Sequence, residues 1–421
     1  MNIAGSVRVP GDKSITHRAL MLAAMTRGRC HLGGALTSLD ARSTARILRA
    51  LGAGVSPLRP DAVVSVTGRG RLRRPGRVLD CGNSGTAARL ILGLLAAHSF
   101  AAAVTGDRSL RRRPMRRVAE PLSLMGARFE GPLEGLPLRI RGGPLRGIRY
   151  ELPVSSAQLK SAILLAGLAG KVPVSVREPG GRSRDHTERL LRSFGYSVGG
   201  QDGWIDFEPD GRLVPFDLQV PGDFSSAIFL IGTALLAEGG ELRVAGVGVN
   251  PTRTAALDVL HRMGAQLSVE AAGEERSEPV GDIVVRPSGL RGTTVSAAEI
   301  PALIDEIPLL AVLASRAEGK TTFHQAGELR VKESDRLALL AGNLRALGVS
   351  AEAQGQDLHV EGTEAPPRGR VRTDGDHRIA MAFAVLGTVP GARVRVDDMD
   401  CAAVSFPGFP AALAAVRGDR P

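Results

Sequence analysis

The sequence predicts an α+β fold of two domains, each built from three repeated βαβαβ-type units with buried helices. A chain of 421 residues is too long for one hydrophobic core and favours two domains of roughly 200 residues. Six segments share one pattern, in which polar or small residues lead into an apolar, helix-like run, followed by a Gly or turn and then a strand. These segments start 68 to 80 residues apart, at Pro10, Cys81, Leu152, Val220, Ile300 and Thr373.

A second helical pattern lies between these apolar runs. Its members have apolar residues at positions i, i+3 and i+4, end near a Gly and continue into a strand-like stretch. They cover residues 38–58, 115–130, 184–198, 252–270 and 333–353. Six copies of a strand–helix–strand–helix–strand unit therefore predict two domains of three copies each, with the more apolar helices inside.

The charge balance favours anionic partners. The chain has 54 Lys and Arg against 43 Asp and Glu, a net charge of +11, which attracts negative ligands. Residues 108–117 contain six arginines and resemble a phosphate-backbone patch, but aromatic residues make up only 3% of the chain, so few rings could stack on bases. A small anionic substrate or a solvated basic surface fits equally well. We expect no nucleic acid partner.

Several other classes of protein are not expected. Cys30, Cys81 and Cys401 lie far apart, without the spacing of zinc ligands, so we predict no metal and no disulfide framework. Residues 318–322, EGKTT, lack the first Gly of a P-loop because Ala314 stands in its place, which argues against a nucleotide site. There is no run of 18 apolar residues and no hydrophobic leader, which predicts a cytoplasmic protein without a membrane partner.

Two adjacent carboxylates interrupt an otherwise apolar stretch. Asp305 and Glu306 lie in residues 300–314, IPALIDEIPLLAVLA, a pattern typical of a buried helix. Ionised carboxylates are rarely buried unless they are paired. The polar residues of each repeat collect where its apolar helix starts, and converging helix N-termini attract anions. The pair therefore lies where an anion site would form, and it either breaks the packing rule or directs an acid at a ligand.

Nine short motifs stand in order over nearly the whole chain, each at the start of a repeat helix or just beyond it. They are PGDKSITHR, GNSGTAAR, RRRPM, SSAQLKSA, SRDHTER, GVGVNPTR, LIDEIP, ELRVKESDR and GDHRIAMA. Together they resemble the motifs of the 5-enolpyruvylshikimate-3-phosphate (EPSP) synthase family. GDKS, SAQLK, RDHTE and NPTR resemble the second subgroup of that family.

This resemblance implies two globular domains of threefold internal symmetry, the inside-out barrel of the enolpyruvyl transferases. Two crossover strands would join them, with residues 1–12 and 222–421 in one domain and residues 13–221 in the other. The active site would lie in the cleft between the domains, which close over 3-phosphoshikimate and phosphoenolpyruvate. A monomer that needs no cofactor is expected.

The resemblance also implies the site residues. Both substrates carry a carboxylate and a phosphate, which suit Arg and Lys donors, and Gly85 would let the backbone approach a ligand. Ser14 and Arg18 share one face of a predicted helix, and Lys332 and Arg336 have the same i, i+4 spacing. By resemblance, the 3-phosphoshikimate contacts are Lys13, Ser14, Arg18, Ser156, Gln158, Ser183, Asp305 and Lys332. The phosphoenolpyruvate contacts are Lys13, Gly85, Arg113, Gln158, Arg336 and Arg378.

The implied reaction transfers the enolpyruvyl group of phosphoenolpyruvate to the 5-hydroxyl of 3-phosphoshikimate and releases phosphate, through a tetrahedral addition–elimination intermediate. Asp305 is the expected base, Lys13 and Glu333 are the candidates for the acid, and Glu306 is expected to support them by a hydrogen bond or ion pair. The alternative is the related transferase that acts on UDP-N-acetylglucosamine. That family usually carries a reactive Cys in the loop that reads TGDRSLRRRP here, residues 105–114, and this loop contains none.

Overall fold

The computed structural model describes residues 2–180 and 182–418. Residues 11–220 and 274–278 form one compact unit, called unit 2 here, and the remaining described residues form unit 1. The chain passes between the units after Pro10 and after Val220. These limits differ by one or two residues from the expected ones, and the sequence did not indicate that residues 274–278 belong with unit 2.

Unit 2 contains six helices and twelve strands among its described residues, preceded in the chain by β1 (Asn2–Arg8) of unit 1. Most helices begin at a side-chain cap; Asp12, Ser38, Ser84 and Ser156 each accept a backbone N–H of the first turn, which satisfies donors that the helix leaves unpaired. In order, the elements are α1 (Lys13–Met25), β2 (Arg27–Gly33), α2 (Leu39–Ala50), β3 (Gly54–Val55), β4 (Val64–Arg69), β5 (Leu79–Asp80), α3 (Gly85–Ala96), β6 (Ala101–Thr105), a 3₁₀ turn (Leu110–Arg112), α4 (Arg116–Met125), β7 (Arg128–Glu130), β8 (Leu138–Arg141), β9 (Ile148–Glu151), α5 (Ala157–Gly170), β10 (Val174–Arg177), α6 (His186–Ser193), β11 (Ser197–Gly199), β12 (Trp204–Glu208) and β13 (Asp217–Gln219).

Among the described residues, unit 1 repeats this order of elements with one helix divided in two, and its last repeat has only a two-stranded sheet. The hairpin formed by residues 266–286 turns within residues 274–278, which belong to unit 2. The elements are α7 (Phe224–Leu235), β14 (Gly239–Gly248), α8 (Ala255–Arg262), β15 (Gln266–Glu275), β16 (Glu278–Arg286), β17 (Thr294–Val295), α9 (Ile300–Leu303), α10 (Ile307–Ala314), β18 (Lys320–Phe323), a 3₁₀ turn (Ala326–Val331), α11 (Arg336–Ala346), β19 (Ala351–Gln354), β20 (Asp357–Glu361), β21 (Arg368–Val371), α12 (His377–Leu386), β22 (Arg393–Val396), a 3₁₀ turn (Asp400–Val404) and α13 (Phe409–Val416).

Among the described residues, five four-stranded sheets share one topology, and the sixth sheet contains only β21 and β22. In sheet β5-β6-β8-β7, for example, β5 is parallel to β6, and the next two pairs are antiparallel. The repeat is therefore βαβαββ, one strand longer than predicted. Two strands are exchanged: β1, which precedes α1, pairs with β14 in unit 1, whereas β13, which precedes α7, pairs with β2 in unit 2.

The first helix of each repeat forms the core of its unit, as the apolar runs predict. Helices α1, α3 and α5 are buried in unit 2, and α7, α10 and α12 in unit 1. Helices α3 and α5 approach so closely that a Cβ on Gly93 would lie 2.2 Å from the carbonyl oxygen of Ala162. The α+β class with buried helices is confirmed. None of the described helices is long and apolar enough to cross a membrane.

Burial of His17 in α1 predicts that acid destabilises the protein. Its Nδ1 lies 2.7 Å from Thr44 Oγ1. Burial, together with the charges of Lys13 and Arg18, lowers the pKa of His17 from 6.5 to about 3. The folded protein keeps this ring neutral while the unfolded chain protonates it, so stability is complete above pH 6.5 and is lost as the pH falls toward 3. We expect this histidine to contribute a loss of about 1.4 kcal/mol per pH unit below 6.5.

Glutamine cannot titrate, so His17→Gln should reduce the slope of the unfolding free energy against pH by about 1.4 kcal/mol per pH unit below pH 6.5. Urea unfolding between pH 7 and pH 5 measures this slope. His261→Gln, at an exposed position of α8, should leave the dependence as in the original protein. Equal slopes for the original protein and His17→Gln would contradict the prediction.

Candidate active site

Unit 2 places Lys13 at the start of α1, directly after the capping residue Asp12. Its Nζ lies 3.3 Å from Asp40 Oδ2 in the first turn of α2, and the two side chains are 16% and 8% exposed. Two neighbouring helix starts therefore bring a cation and a carboxylate together. The pairing with Asp40 was not predicted, because the two residues lie 27 positions apart.

Arg18 is almost fully buried and connects three helices of unit 2. Its Nε donates to Thr187 Oγ1 at 2.7 Å, Nη1 donates to the Ser14 carbonyl at 2.9 Å, and Nη2 donates to Ser161 Oγ at 2.7 Å. Burial lowers the pKa of Arg18 to about 10, with Glu188 acting against the shift, so the guanidinium stays charged at neutral pH. The predicted helix face shared by Ser14 and Arg18 is confirmed.

Gly85, Arg113 and Gln158 are brought together at the start of α3, and Arg89 joins them. A Cβ on Gly85 would lie 2.6 Å from Arg89 Nη1 and 3.3 Å from Arg113 Nη1. Arg89 Nη1 donates to Gln158 Oε1 at 2.9 Å, and Arg113 Nη2 donates to Asn83 Oδ1 at 2.7 Å. Arg89 was missed, although it ends the motif GNSGTAAR four residues after Gly85.

The two other predicted serines of unit 2 share one acceptor. Ser156 caps α5, and Ser183 lies in the segment before α6. The Ser183 hydroxyl donates to Glu178 Oε1 at 2.5 Å, and the Ser156 backbone N–H donates to the same oxygen at 3.1 Å. Glu178 was not among the predicted residues.

In unit 1, Asp305 lies in a break between two helices rather than inside one helix. Residues 300–314 form α9 and α10 separated by residues 304–306. Pro308 stands in the first turn of α10 and has no N–H to donate to the preceding turn. The predicted continuous helix is therefore wrong at this point. The Asp305 carbonyl accepts from Arg378 Nη1 at 2.9 Å, and its side chain is 17% exposed.

Arg336 is the centre of a cluster of carboxylates at the start of α11. Its Nε donates a hydrogen bond to Asp376 Oδ2 at 2.8 Å, and its Nη2 donates to Asp376 Oδ1 at 3.2 Å. Glu333 lies 2.6 Å from Nη2, and Asp305 lies 3.4 Å from Nη1. Burial lowers the pKa of Arg336, but these three carboxylates outweigh burial and raise it above its ordinary value. Asp305 Oδ2 is also 3.7 Å from Arg378 Nη2, so it lies between two guanidiniums.

Glu306 makes both a hydrogen bond and an ion pair, the kinds of contact expected of it from the sequence. It is completely buried and accepts from Ser225, and its Oε1 lies 3.3 Å from Arg253 Nη1. Arg253, in the motif GVGVNPTR, also lies 3.5 Å from Asp223. Neither Arg253 nor Asp223 was assigned a contact from the sequence.

Lys332 and Arg336 do not share a helix, so the argument from their i, i+4 spacing is wrong. Lys332 directly follows the 3₁₀ turn Ala326–Val331, whereas α11 begins at Arg336. Among residues 2–180 and 182–418, no group of three or more His, Cys, Asp or Glu could hold a metal ion.

The positive charge of the chain is concentrated in residues 11–220. This range contains 33 Lys and Arg against 17 Asp and Glu, whereas the rest of the sequence contains 21 against 26. Attraction of anionic ligands therefore arises mainly from unit 2. The acidic excess elsewhere includes the carboxylates around Arg336.

The fold defines the class as that of the enolpyruvyl transferases. The enolpyruvyl transferase NikO from Streptomyces tendae superposes over 99% of this chain and 95% of its own with a TM-score of 0.77, and at 18% identity this likeness shows the fold alone. EPSP synthase from Acinetobacter baumannii superposes with a TM-score of 0.85 at 40% identity, over 98% of this chain and 95% of that one.

The family model of EPSP synthase (3-phosphoshikimate 1-carboxyvinyltransferase) matches residues 1–413. Relatives named 3-phosphoshikimate 1-carboxyvinyltransferase from Thermus thermophilus and Alkalilimnicola ehrlichii are 51% and 48% identical, covering 97% and 99% of this chain and 95% of each relative. The chain belongs to the EPSP synthase family. It is an enzyme that transfers the enolpyruvyl group of phosphoenolpyruvate to 3-phosphoshikimate, in the shikimate pathway; the transfer to UDP-N-acetylglucosamine is not favoured.

Proposed function

We propose that Asp305 is the base of this reaction and that Lys13 and Glu333 supply its acid side. The observation that supports Asp305 most directly is its position between Arg336 and Arg378, at 3.4 Å and 3.7 Å. Both arginines are the predicted contacts of the enolpyruvyl donor. Nearby cations favour the ionised form of a carboxylate, which is the form that accepts a proton.

The chemistry assigns a task to each group. Asp305 accepts the proton of the 5-hydroxyl of 3-phosphoshikimate while the oxygen forms a bond to C2 of the donor. The donor methylene takes a proton from the acid, which gives a tetrahedral ketal. Loss of a proton from the new methyl group and departure of phosphate then regenerate the double bond in the product. Proton transfer by positioned groups of this kind contributes about 10²- to 10⁴-fold to rates.

The substrate contacts are proposed as predicted. Lys13, Ser14, Arg18, Ser156, Gln158, Ser183, Asp305 and Lys332 contact 3-phosphoshikimate, and Lys13, Gly85, Arg113, Gln158, Arg336 and Arg378 contact phosphoenolpyruvate. The grouping of Gly85, Arg113 and Gln158 within unit 2 supports the donor set. Arg336 and Arg378 support it within unit 1, where both guanidiniums approach Asp305. We propose that substrate binding uses residues of both units.

The residue roles predict a strict requirement for both substrates. Purified protein should release phosphate only when 3-phosphoshikimate and phosphoenolpyruvate are present together, without added metal or cofactor, in a coupled phosphate assay. EDTA should leave the rate unchanged. Phosphate release with UDP-N-acetylglucosamine in place of 3-phosphoshikimate, or loss of activity with EDTA, would contradict the proposal.

The monomeric state, the cytoplasmic location and the lack of a nucleic acid partner stay predictions. Light scattering coupled to size-exclusion chromatography tests the first. Cell fractionation tests the second, and a salt-dependent gel shift with duplex DNA and RNA tests the third.

A further inference from the structure

Lys160 is a buried lysine in a chain in which arginine far outnumbers lysine. The sequence contains five lysines and 49 arginines. Lys160, in α5 two residues after Gln158, is only 1% exposed. Its Nζ donates to Glu178 Oε2 at 2.9 Å and to the Ser183 carbonyl at 3.2 Å, and it lies 2.8 Å from Glu188 Oε1. Three acceptors around one nitrogen suit the three N–H donors of an ammonium, whereas the N–H donors of a guanidinium lie in one plane and are spread over three nitrogens.

The carboxylate of Glu178 accepts four hydrogen bonds. Oε1 accepts from the Ser156 backbone N–H at 3.1 Å and from the Ser183 hydroxyl at 2.5 Å. Oε2 accepts from the Ser183 backbone N–H at 3.1 Å and from Lys160 Nζ at 2.9 Å. One buried carboxylate thus connects the start of α5 to the segment that precedes α6, and both of these carry a proposed phosphate contact.

We propose that Glu178, held by Lys160, is a positioning residue that sets the places of Ser156 and Ser183 for the phosphate of 3-phosphoshikimate. This inference rests on the proposed function, because it takes Ser156 and Ser183 as contacts of that phosphate. Glu178 itself does not contact the phosphate, since a carboxylate would repel it.

The electrostatics of the group support this arrangement. A phosphate dianion would be repelled by an uncompensated carboxylate nearby. Lys160 lies between the carboxylates of Glu178 and Glu188, and Arg18, 2% exposed, supplies a second positive charge that acts on Glu188. Burial lowers the pKa of Lys160, but Glu188 and Glu178 outweigh burial and raise it, so the ammonium keeps its charge.

The hydrogen bonds also define what changes when the ligand binds. A serine hydroxyl has one proton, and that of Ser183 is donated to Glu178. When the phosphate binds, this proton turns to the phosphate, while the Ser183 and Ser156 backbone N–H groups keep Glu178 as their acceptor. The positions of both serines are therefore set before the ligand arrives, which lowers the entropic cost of binding.

The test compares Glu178→Gln, Ser183→Ala and the double variant by steady-state kinetics. Gln can accept at only one of its two terminal atoms, so two of the four hydrogen bonds are lost. We expect Glu178→Gln to raise KM for 3-phosphoshikimate by about 10- to 100-fold, with KM for phosphoenolpyruvate and kcat within about three-fold. Since Glu178 acts through Ser183 in part, the double variant should raise KM by less than the product of the single effects.

Glu151→Gln is the matched control. Glu151 is an exposed residue that pairs with Arg177, so its substitution should change none of these constants.

The outcomes separate this inference from the proposed function. If Ser183→Ala raises KM for 3-phosphoshikimate and Glu178→Gln does not, the positioning role is wrong and the phosphate contact stands. If the two effects multiply fully, Glu178 does not act through Ser183 and the inference is also wrong. If neither variant raises KM, the assignment of Ser183 in the proposed function fails, and the inference fails with it.

A second variant tests the choice of lysine. Lys160→Arg keeps the charge but not the three converging donors, so we expect KM for 3-phosphoshikimate to rise while KM for phosphoenolpyruvate stays within about three-fold. Lys171→Arg, at the exposed end of the same helix, should behave as the original protein. If Lys160→Arg lowers only Tm and leaves KM unchanged, Lys160 has a structural role alone and the inference is overturned.

Discussion

Asp305→Asn is expected to lower kcat by about 10²- to 10⁴-fold, the range typical of general acid–base residues. Asparagine has the size and hydrogen-bonding capacity of aspartate but cannot take the proton of the 5-hydroxyl. KM should change much less, because Asp305 carries a negative charge and its removal does not weaken the binding of anions. Steady-state kinetics with both substrates, with Tm measured on the same sample, check this prediction.

A matched control is available in unit 1. Asp282 pairs with Arg243 at 3.0 Å, and its side chain is 26% exposed, against 17% for Asp305. Asp282→Asn should leave kcat unchanged, although it removes the same charge from an arginine. A purely structural Asp305 would give the opposite pattern, a lowered Tm with near-normal kcat, and that result would reject it as the base.

Arg336→Lys should have the second large effect, on both donor binding and stability. We expect kcat/KM for phosphoenolpyruvate to fall by about 100-fold or more, because the planar fork of arginine is replaced by a single ammonium that cannot bind a carboxylate through two parallel hydrogen bonds. Tm should also fall. Arg336 and Asp376 are both completely buried, at 0% exposure, and a lysine ammonium cannot reproduce the two hydrogen bonds that Nε and Nη2 donate to this carboxylate.

Arg243→Lys is the control for Arg336→Lys. Arg243 also contacts two carboxylates, Glu270 at 2.7 Å and Asp282 at 3.0 Å, but its side chain is 37% exposed, where solvent weakens ion pairs. This variant should retain full activity and nearly full stability. If Arg336→Lys lowers Tm but leaves KM for phosphoenolpyruvate unchanged, Arg336 supports the structure and does not bind the donor.

Much of the candidate site could be predicted because it follows from local motifs. Lys13, Gly85, Ser156 and Arg378 all lie at or within the first turns of buried helices, where the motifs place them. The side chains that hold these residues were harder to find. Asp40 and Asp376 are separated by 27 and 40 positions from the residues they contact, Lys13 and Arg336, and a sequence pattern does not show which distant carboxylate reaches which cation.

The broken helix at residues 304–306 shows a related limit. The apolar residues of 300–314 are buried on both sides of the break, so their hydrophobic pattern reads as one helix. Pro308 was visible in the sequence, but a proline is compatible with either a kink or a new helix start. The hydrogen bond from Arg378 to the Asp305 carbonyl joins residues 73 positions apart, so the hydrophobic pattern of residues 300–314 does not indicate it.

By itself, the sequence determined the repeat, the five second helices, the burial of the first helices and the family resemblance. These properties depend on periodicity and on residues close together in the chain. Only the tertiary structure decided that β1 and β13 exchange partners, that Lys160 and Glu178 connect two serines, and that Arg336 binds three carboxylates. The physical reason is that strand pairing and buried charge pairing join groups far apart in sequence, and their energies depend on distance and burial, which only the folded chain defines.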